Sequence, residues 1–243
     1  MTYCVGMRLN HGLVLMADTR TSAGVDNFSV SRKMFTWFVP GECAFTIMTA
    51  GNLATTQAMI SLLEERSKTV EERDPSILRQ PSMFQVARLV GETLKEVIAD
   101  SSPNGQTSDD QFRASVILAG QVKDGKPTIF LIYPEGNFIE VTEDTPFFQI
   151  GETKYGKPIL VRAYDADMSF DDAVKLLLVS FDSTIKSNLS VGLPIDILVY
   201  ENDSFDLGRQ KRVEVGDAIY QSISTGWGAA LKEAFHKLPR YSV

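Results

Sequence analysis

The chain has 243 residues, 44% of them hydrophobic, with 24 Lys+Arg against 31 Asp+Glu for a formal net charge of -7. That is the composition of a globular chain, not a disordered one, and the acidic balance argues against a nucleic-acid partner. Two Cys supply neither a disulfide framework nor a zinc set and point to a reducing, cytoplasmic setting.

In chain order, 2–9 and 13–17 are apolar-rich runs around Asn10-His11-Gly12 and predict a β-hairpin. Strand-like runs follow at 34–39 and 43–49, and Gly51 opens a helix over 52–66. A charged connection marked by Pro75 and Pro81 leads to a second helix, where Phe84, Val86, Leu89, Val90, Leu94, Val97 and Ile98 recur at helical spacing. A polar loop over 101–110 is followed by strands at 113–122, 128–133, 138–141 and 147–150. Helices are predicted over 155–163 and 169–187, the latter with Ser169 as N-cap and Asp171 and Asp172 in its first turn. Strands at 195–200 and 211–215 and a helix over 218–238 complete the order. The run Arg209-Gln210-Lys211-Arg212 reads as a solvated strand end. Blocks segregated in this way predict an α+β fold of antiparallel sheets with helices packed outside, in one domain spanning 1–243.

Much familiar chemistry is missing. With two His and no G-x-S-x-G, a Ser-His-Asp triad has little to work with. No H-E-x-x-H, C-x-x-C, P-loop or G-x-G-x-x-G occurs, so neither metal nor cofactor is expected. No apolar run approaches 18 residues, so no membrane span is expected, and the first residues have no signal-peptide pattern.

Thr2 offers a different nucleophile. Loss of Met1 would leave a Thr hydroxyl beside its own α-amine, which titrates near about 7.7–8.0 and accepts a proton without any histidine. A Thr at position 2 is by itself commonplace. The hairpin, however, places Thr2 opposite Asp18 or its neighbours Thr19 to Thr21. Lys33, just before the third strand, is a candidate cation, although most lysines lie at the surface. Gly51, where a strand runs into a helix, suits either an oxyanion donor or tight packing.

Together, Met1-Thr2, Ala17-Asp18-Thr19-Arg20-Thr21-Ser22-Ala23-Gly24, Arg32-Lys33 and Thr49-Ala50-Gly51 resemble the signature of proteasome-type β-subunits, members of the N-terminal nucleophile hydrolases. The stretches Ala50–Thr55 and Ile150–Pro158, with Asp182-Ser183-Thr184, Ser187-Asn188 and Val191-Gly192, are similar to the bacterial Anbu branch. The resemblance covers essentially the whole chain and implies a four-layer αββα sandwich. It implies Thr2 as nucleophile of a threonine-type peptidase, Lys33 as the cation near its hydroxyl, Asp18 as the partner of Lys33 and Gly51 N–H as oxyanion donor. It implies Ser22 and Gly51 as the places where an extended peptide substrate binds by strand addition. Where the family carries Gly-Ser-Gly this chain has Gly151-Glu152-Thr153, so the assisting role passes at best to Thr153. The supporting Asp and Ser of the family correspond to Asp182 and Ser190. Peptide or unfolded-protein substrates and a ring-like or helical homo-oligomer are implied. The apolar stripes of the helices over 82–100 and 169–187 offer subunit contacts, although such stripes are more often plain core. Two rival readings stand beside this one. The first is a catalytically silent scaffold subunit that retains Met1, although the helical extension of silent α-subunits is missing before the first strand. The second is an N-terminal-nucleophile amidase acting on a small molecule.

Overall fold

The computed structural model describes residues 2–22, 28–68, 76–101 and 110–242. Met1, the Ala23-Gly24 end of the signature, the 71–75 part of the charged connection and the polar loop over 102–109 lie outside the described residues.

Twelve strands and five α-helices form among the described residues. One sheet holds β1 (Tyr3–Leu9), β2 (Gly12–Asp18), β10 (Phe147–Gly151), β11 (Ile195–Glu201) and β12 (Gln210–Val213), in the order β10-β1-β2-β11-β12. The other holds β5 (Met34–Val39), β6 (Cys43–Gly51), β7 (Ala114–Val122), β8 (Thr128–Ile132) and β9 (Phe138–Glu140), in chain order. A small third ribbon pairs β3 (Arg20–Ser22) with β4 (Phe28–Val30). All strand pairs are antiparallel, as the segregated blocks predict.

The two large sheets are buried on both faces, and the period-two alternation of their strands sorts side chains into three apolar layers. In β1, Val5, Met7 and Leu9 point to one helical layer while Cys4 points between the sheets. In β6, Phe45 and Ile47 point to the opposite helical layer, and Ala44, Met48 and Ala50 point inward. Helices α1 (Leu53–Ser67) and α2 (Met83–Ser101) cover the β6–β8 side. The other face is covered by α3 (Lys157–Ala163) and α4 (Phe170–Ser187), with α5 (Ala218–Lys237) packed on α4. This is the αββα sandwich.

Several helix ends follow local rules. Asn52 caps α1 by accepting from Thr55 N (3.0 Å), and Ser169 caps α4 by accepting from Asp172 N (3.1 Å). The apolar stripes of α2 and α4 are plain core: Val86, Leu89, Val90, Leu94, Val97 and Ile98 pack on one sheet, and Leu177 and Phe181 on the other. Phe84 of the α2 stripe is the exception and lies exposed; α5 adds a further exposed apolar face, with Tyr220 its buried residue and Ile219, Leu231 and Phe235 exposed. Lys211 and Arg212 lie exposed on β12, the solvated strand end expected.

Met48 is fully buried in the layer between the sheets. Met48→Ala is therefore expected to lower the unfolding free energy by about 2–5 kcal/mol. The check is a drop in the denaturant midpoint with an unchanged m-value.

Candidate functional site

The hairpin register places Cys4 opposite Ala17 and brings Tyr3 alongside Asp18. Tyr3 N–H donates to Asp18 Oδ1 (2.9 Å), and Lys33 Nζ donates to the same oxygen (2.7 Å). The ammonium is thereby held within two hydrogen-bond lengths of the peptide that joins Thr2 to Tyr3. Lys33 also donates to Arg20 O (2.6 Å), and Gly192 N–H donates to Asp18 Oδ2 (3.3 Å). Asp18 is fully buried and Lys33 is 5% exposed, so this is no surface lysine.

The pair also bridges the two sheets. Asp18 ends β2 in one, and Lys33 precedes β5 in the other, where its carbonyl accepts from Thr49 N (3.0 Å). Burial pushes the Asp18 carboxyl above its ordinary range, while the Lys33 ammonium and the Tyr3 and Gly192 N–H groups pull it back. All three partners donate, and a carboxylate can accept from all of them. The nearby Cys4 is poorly suited to act as a nucleophile. Burial pushes its thiol well above the ordinary range, and its Sγ contacts Thr49 O (3.8 Å).

Thr2 is held from its other side by the end of β10. Its carbonyl accepts from Glu152 N (2.7 Å), and Gly151, at φ +81°, lies so close to that carbonyl that a Cβ would collide with it. Gly51 ends β6 at φ +117°, with Arg113 O where a Cβ would stand, and Asn52, the N-cap of α1, follows at once. Ser22 lies on β3, paired with β4 at Ser22↔Phe28.

The structure brings the other two expected residues to different places. Ser180 and Thr184, one turn apart on α4, face β1, where Ser180 Oγ meets Tyr3 Oη (2.7 Å). Asp182 lies between them in sequence and so points the opposite way. Its Oδ2 accepts from Lys186 Nζ (2.8 Å) and its Oδ1 from Tyr220 Oη (3.4 Å), at the α4–α5 contact. Asp182 thus joins neither Asp18 nor Lys33 through these bonds. Ser190 is closer to the site by chain: it lies in the turn after α4 that supplies Gly192 N–H to Asp18. Arg20 Nη1 donates to Leu189 O in the same turn (3.1 Å).

Four participants carried no role in the sequence reading: the Tyr3 and Gly192 amides, Glu152 and Asn188. Backbone donors have no residue-type signature. Glu152 and Asn188 are polar residues beside Gly151 and at the C-cap of α4, positions that read equally well as turn chemistry.

Residues 2–199 match the family described as Proteasome subunit. The chain belongs to the proteasome subunit family. Among solved structures it is 47% identical to an Anbu (Gly-1) mutant from Hyphomicrobium sp. strain MC1, covering 100% of both chains with a TM-score of 0.93. It is 45% identical to the subunit in a helical assembly of the Anbu complex from Pseudomonas aeruginosa, covering 99% of this chain and 98% of that one, with a TM-score of 0.92. A curated relative, proteasome subunit beta of Haloquadratum walsbyi, is 27% identical over 213 residues, covering 88% of this chain and 79% of that one. The proteasome-type sandwich and the Anbu likeness expected from the sequence both hold. Among the described residues no cluster of His, Cys, Asp or Glu could hold a metal ion, and no helix is long and apolar enough to cross a membrane.

Lys33→Met leaves the buried Asp18 charge with backbone donors alone and is expected to cost about 3–5 kcal/mol of stability. Adding Asp18→Asn removes the stranded charge. The double variant should therefore unfold at higher denaturant than Lys33→Met alone, a comparison read from two urea titrations.

Proposed function

We propose that this proteasome-family chain is a threonine-type peptidase whose nucleophile is Thr2, freed by loss of Met1. The observation that carries the reading is the meeting of the Lys33 ammonium and the Tyr3 N–H on one buried oxygen of Asp18, directly beside Thr2. A cation there stabilises the alkoxide form of a neighbouring hydroxyl. The α-amine of Thr2 takes the hydroxyl proton as Oγ attacks the peptide carbonyl carbon, and then gives it to the departing amine. An acyl-enzyme ester remains, which water hydrolyses by the same proton route in reverse.

The other assignments rest on position. Gly51 N–H is the proposed oxyanion donor, at a backbone conformation that only glycine adopts without strain. Ser22 belongs to a ribbon that, among the described residues, pairs β3 with β4 only, which suits strand addition of an extended peptide. Ser190 has a supporting part through the turn that reaches Asp18. Asp182, bound to Lys186 and Tyr220, is assigned to the α4–α5 contact instead. Homo-oligomerisation is part of the proposal. The helical assembly of the Pseudomonas aeruginosa relative supports it, and the exposed apolar residues of α5 are the surface we assign to it.

Intact mass of the purified protein should show loss of Met1, and an epoxyketone should add covalently at Thr2. Thr2→Ala should abolish both labelling and peptide hydrolysis, a loss of about 10³-fold or more, while Thr2→Ser keeps part of each. Full turnover by Thr2→Ala would overturn the mechanism. An unreactive protein that still bears Met1 would favour a silent scaffold subunit.

Self-association should depend on α5. Phe235→Glu together with Leu231→Glu is expected to shift the protein toward smaller species in sedimentation velocity without changing its circular dichroism.

A further inference from the structure

Glu152 is a nearly buried carboxylate that the proposed mechanism does not use. With Thr153 it stands where the sequence departs from the family's Gly-Ser-Gly. Its main chain and side chain reach opposite sides of the site. The Glu152 N–H donates to Thr2 O (2.7 Å). One side-chain oxygen, Oε1, accepts from Thr153 N (2.9 Å) and Lys154 N (2.8 Å), and the other, Oε2, accepts from Asn188 Nδ2 (3.1 Å).

Asn188 continues the chain. Its Oδ1 accepts from Ser190 N (3.0 Å) and its carbonyl from Val191 N (3.1 Å), closing the turn after α4. That turn delivers Gly192 N–H to Asp18 Oδ2 and receives Arg20 through Leu189 O. Asp18 Oδ1 returns to Lys33 and Tyr3 N–H. The bonds therefore form a closed circuit around Thr2.

The 151–156 segment is seated at both ends before Glu152 makes any of these bonds. Gly151 lies against the Thr2 carbonyl, and Gly156 lies against Tyr3 Oη and Ser180 Oγ, where a Cβ would collide. Ser180 Oγ also donates to Gly156 O (3.1 Å). A carboxylate held on such a rigid segment transmits position well.

We propose that Glu152 is a positioning residue: by accepting from Asn188 it locks the 188–192 turn, and with it the Gly192–Asp18–Lys33 array, to the main chain of Thr2. The alternative is a simple cap on the 152–154 turn, and the two oxygens separate these roles. A cap needs only Oε1, which Gln supplies equally well. The lock needs Oε2 as an acceptor. In Glu152→Gln an amide faces Asn188 Nδ2, and flipping Asn188 merely moves the donor–donor clash to Ser190 N.

The inference rests on the proposed Thr2 chemistry, so the test has two readouts, one independent of activity. Wild type, Glu152→Gln, Asn188→Asp and the double exchange are compared. In the double exchange the introduced amide donates to the introduced carboxylate, which still accepts from Ser190 N, at unchanged net charge. Hydrogen exchange should be faster at the Tyr3 and Gly192 amides in both single variants and return toward wild type in the double. Epoxyketone labelling of Thr2 should slow about 10-fold or more in each single variant and recover in the double. Should a single variant fail to fold, recovery of the fold in the double exchange is the same rescue. Unchanged exchange in Glu152→Gln, or no recovery in the double, overturns the positioning role. A wild type that never labels, with the exchange pattern as expected, sinks the peptidase reading and supports the lock.

Discussion

The site depends on one buried ion pair. Lys33 and Asp18 come from different sheets of the sandwich, and their bond closes the end of the inter-sheet layer where the chain begins. Burying two charges is costly, and the cost is offset only when every remaining lone pair and proton finds a partner. Here Asp18 receives Lys33, Tyr3 N–H and Gly192 N–H, and Lys33 has a second acceptor in Arg20 O. The pair is therefore satisfied from four segments, and each of them is fixed in position by joining it.

The sandwich makes such a pair possible. Two sheets apolar on both faces form a stiff layer at crystal-like packing density, which holds strand ends in fixed positions. Gly51 and Gly151 then let backbone approach where a side chain would collide, one beside Arg113 O and the other beside Thr2 O. At φ +117° and +81° both positions lie in backbone regions that glycine enters without strain and a side chain would not.

Lys33 enters the proposed chemistry through its position. It is bonded to a carboxylate and a carbonyl, and proton transfer in the proposal falls to the α-amine. A chain with two His can run acyl transfer on these terms. Cys4, two residues from Thr2, has no part in the proposed reaction, because burial keeps its thiol protonated.

The sequence by itself determined the order of the longer strands and helices and the antiparallel sheets, and it narrowed the hairpin partner of Thr2 to residues 18–21; the structure then set Tyr3 alongside Asp18. The sequence's share follows from local periodicity and the length of a tight turn, which depend on neighbours in sequence. The short ribbon of β3 and β4 and the 3-10 turns at Ile77–Arg79 and Asp110–Phe112 are too brief to carry a period, and they were not legible. The direction of Asp182 was decided only by tertiary structure. Buried polar residues on α4 face both the sheet and α5, so spacing alone cannot tell which side takes the carboxylate. The same holds for Glu152 and Asn188, since a hydrogen bond across 36 positions leaves no pattern in the residues between. The depth of Lys33 was likewise decided by the fold. A lysine is buried only where a carboxylate meets it, and the one that does lies 15 positions away on the other sheet.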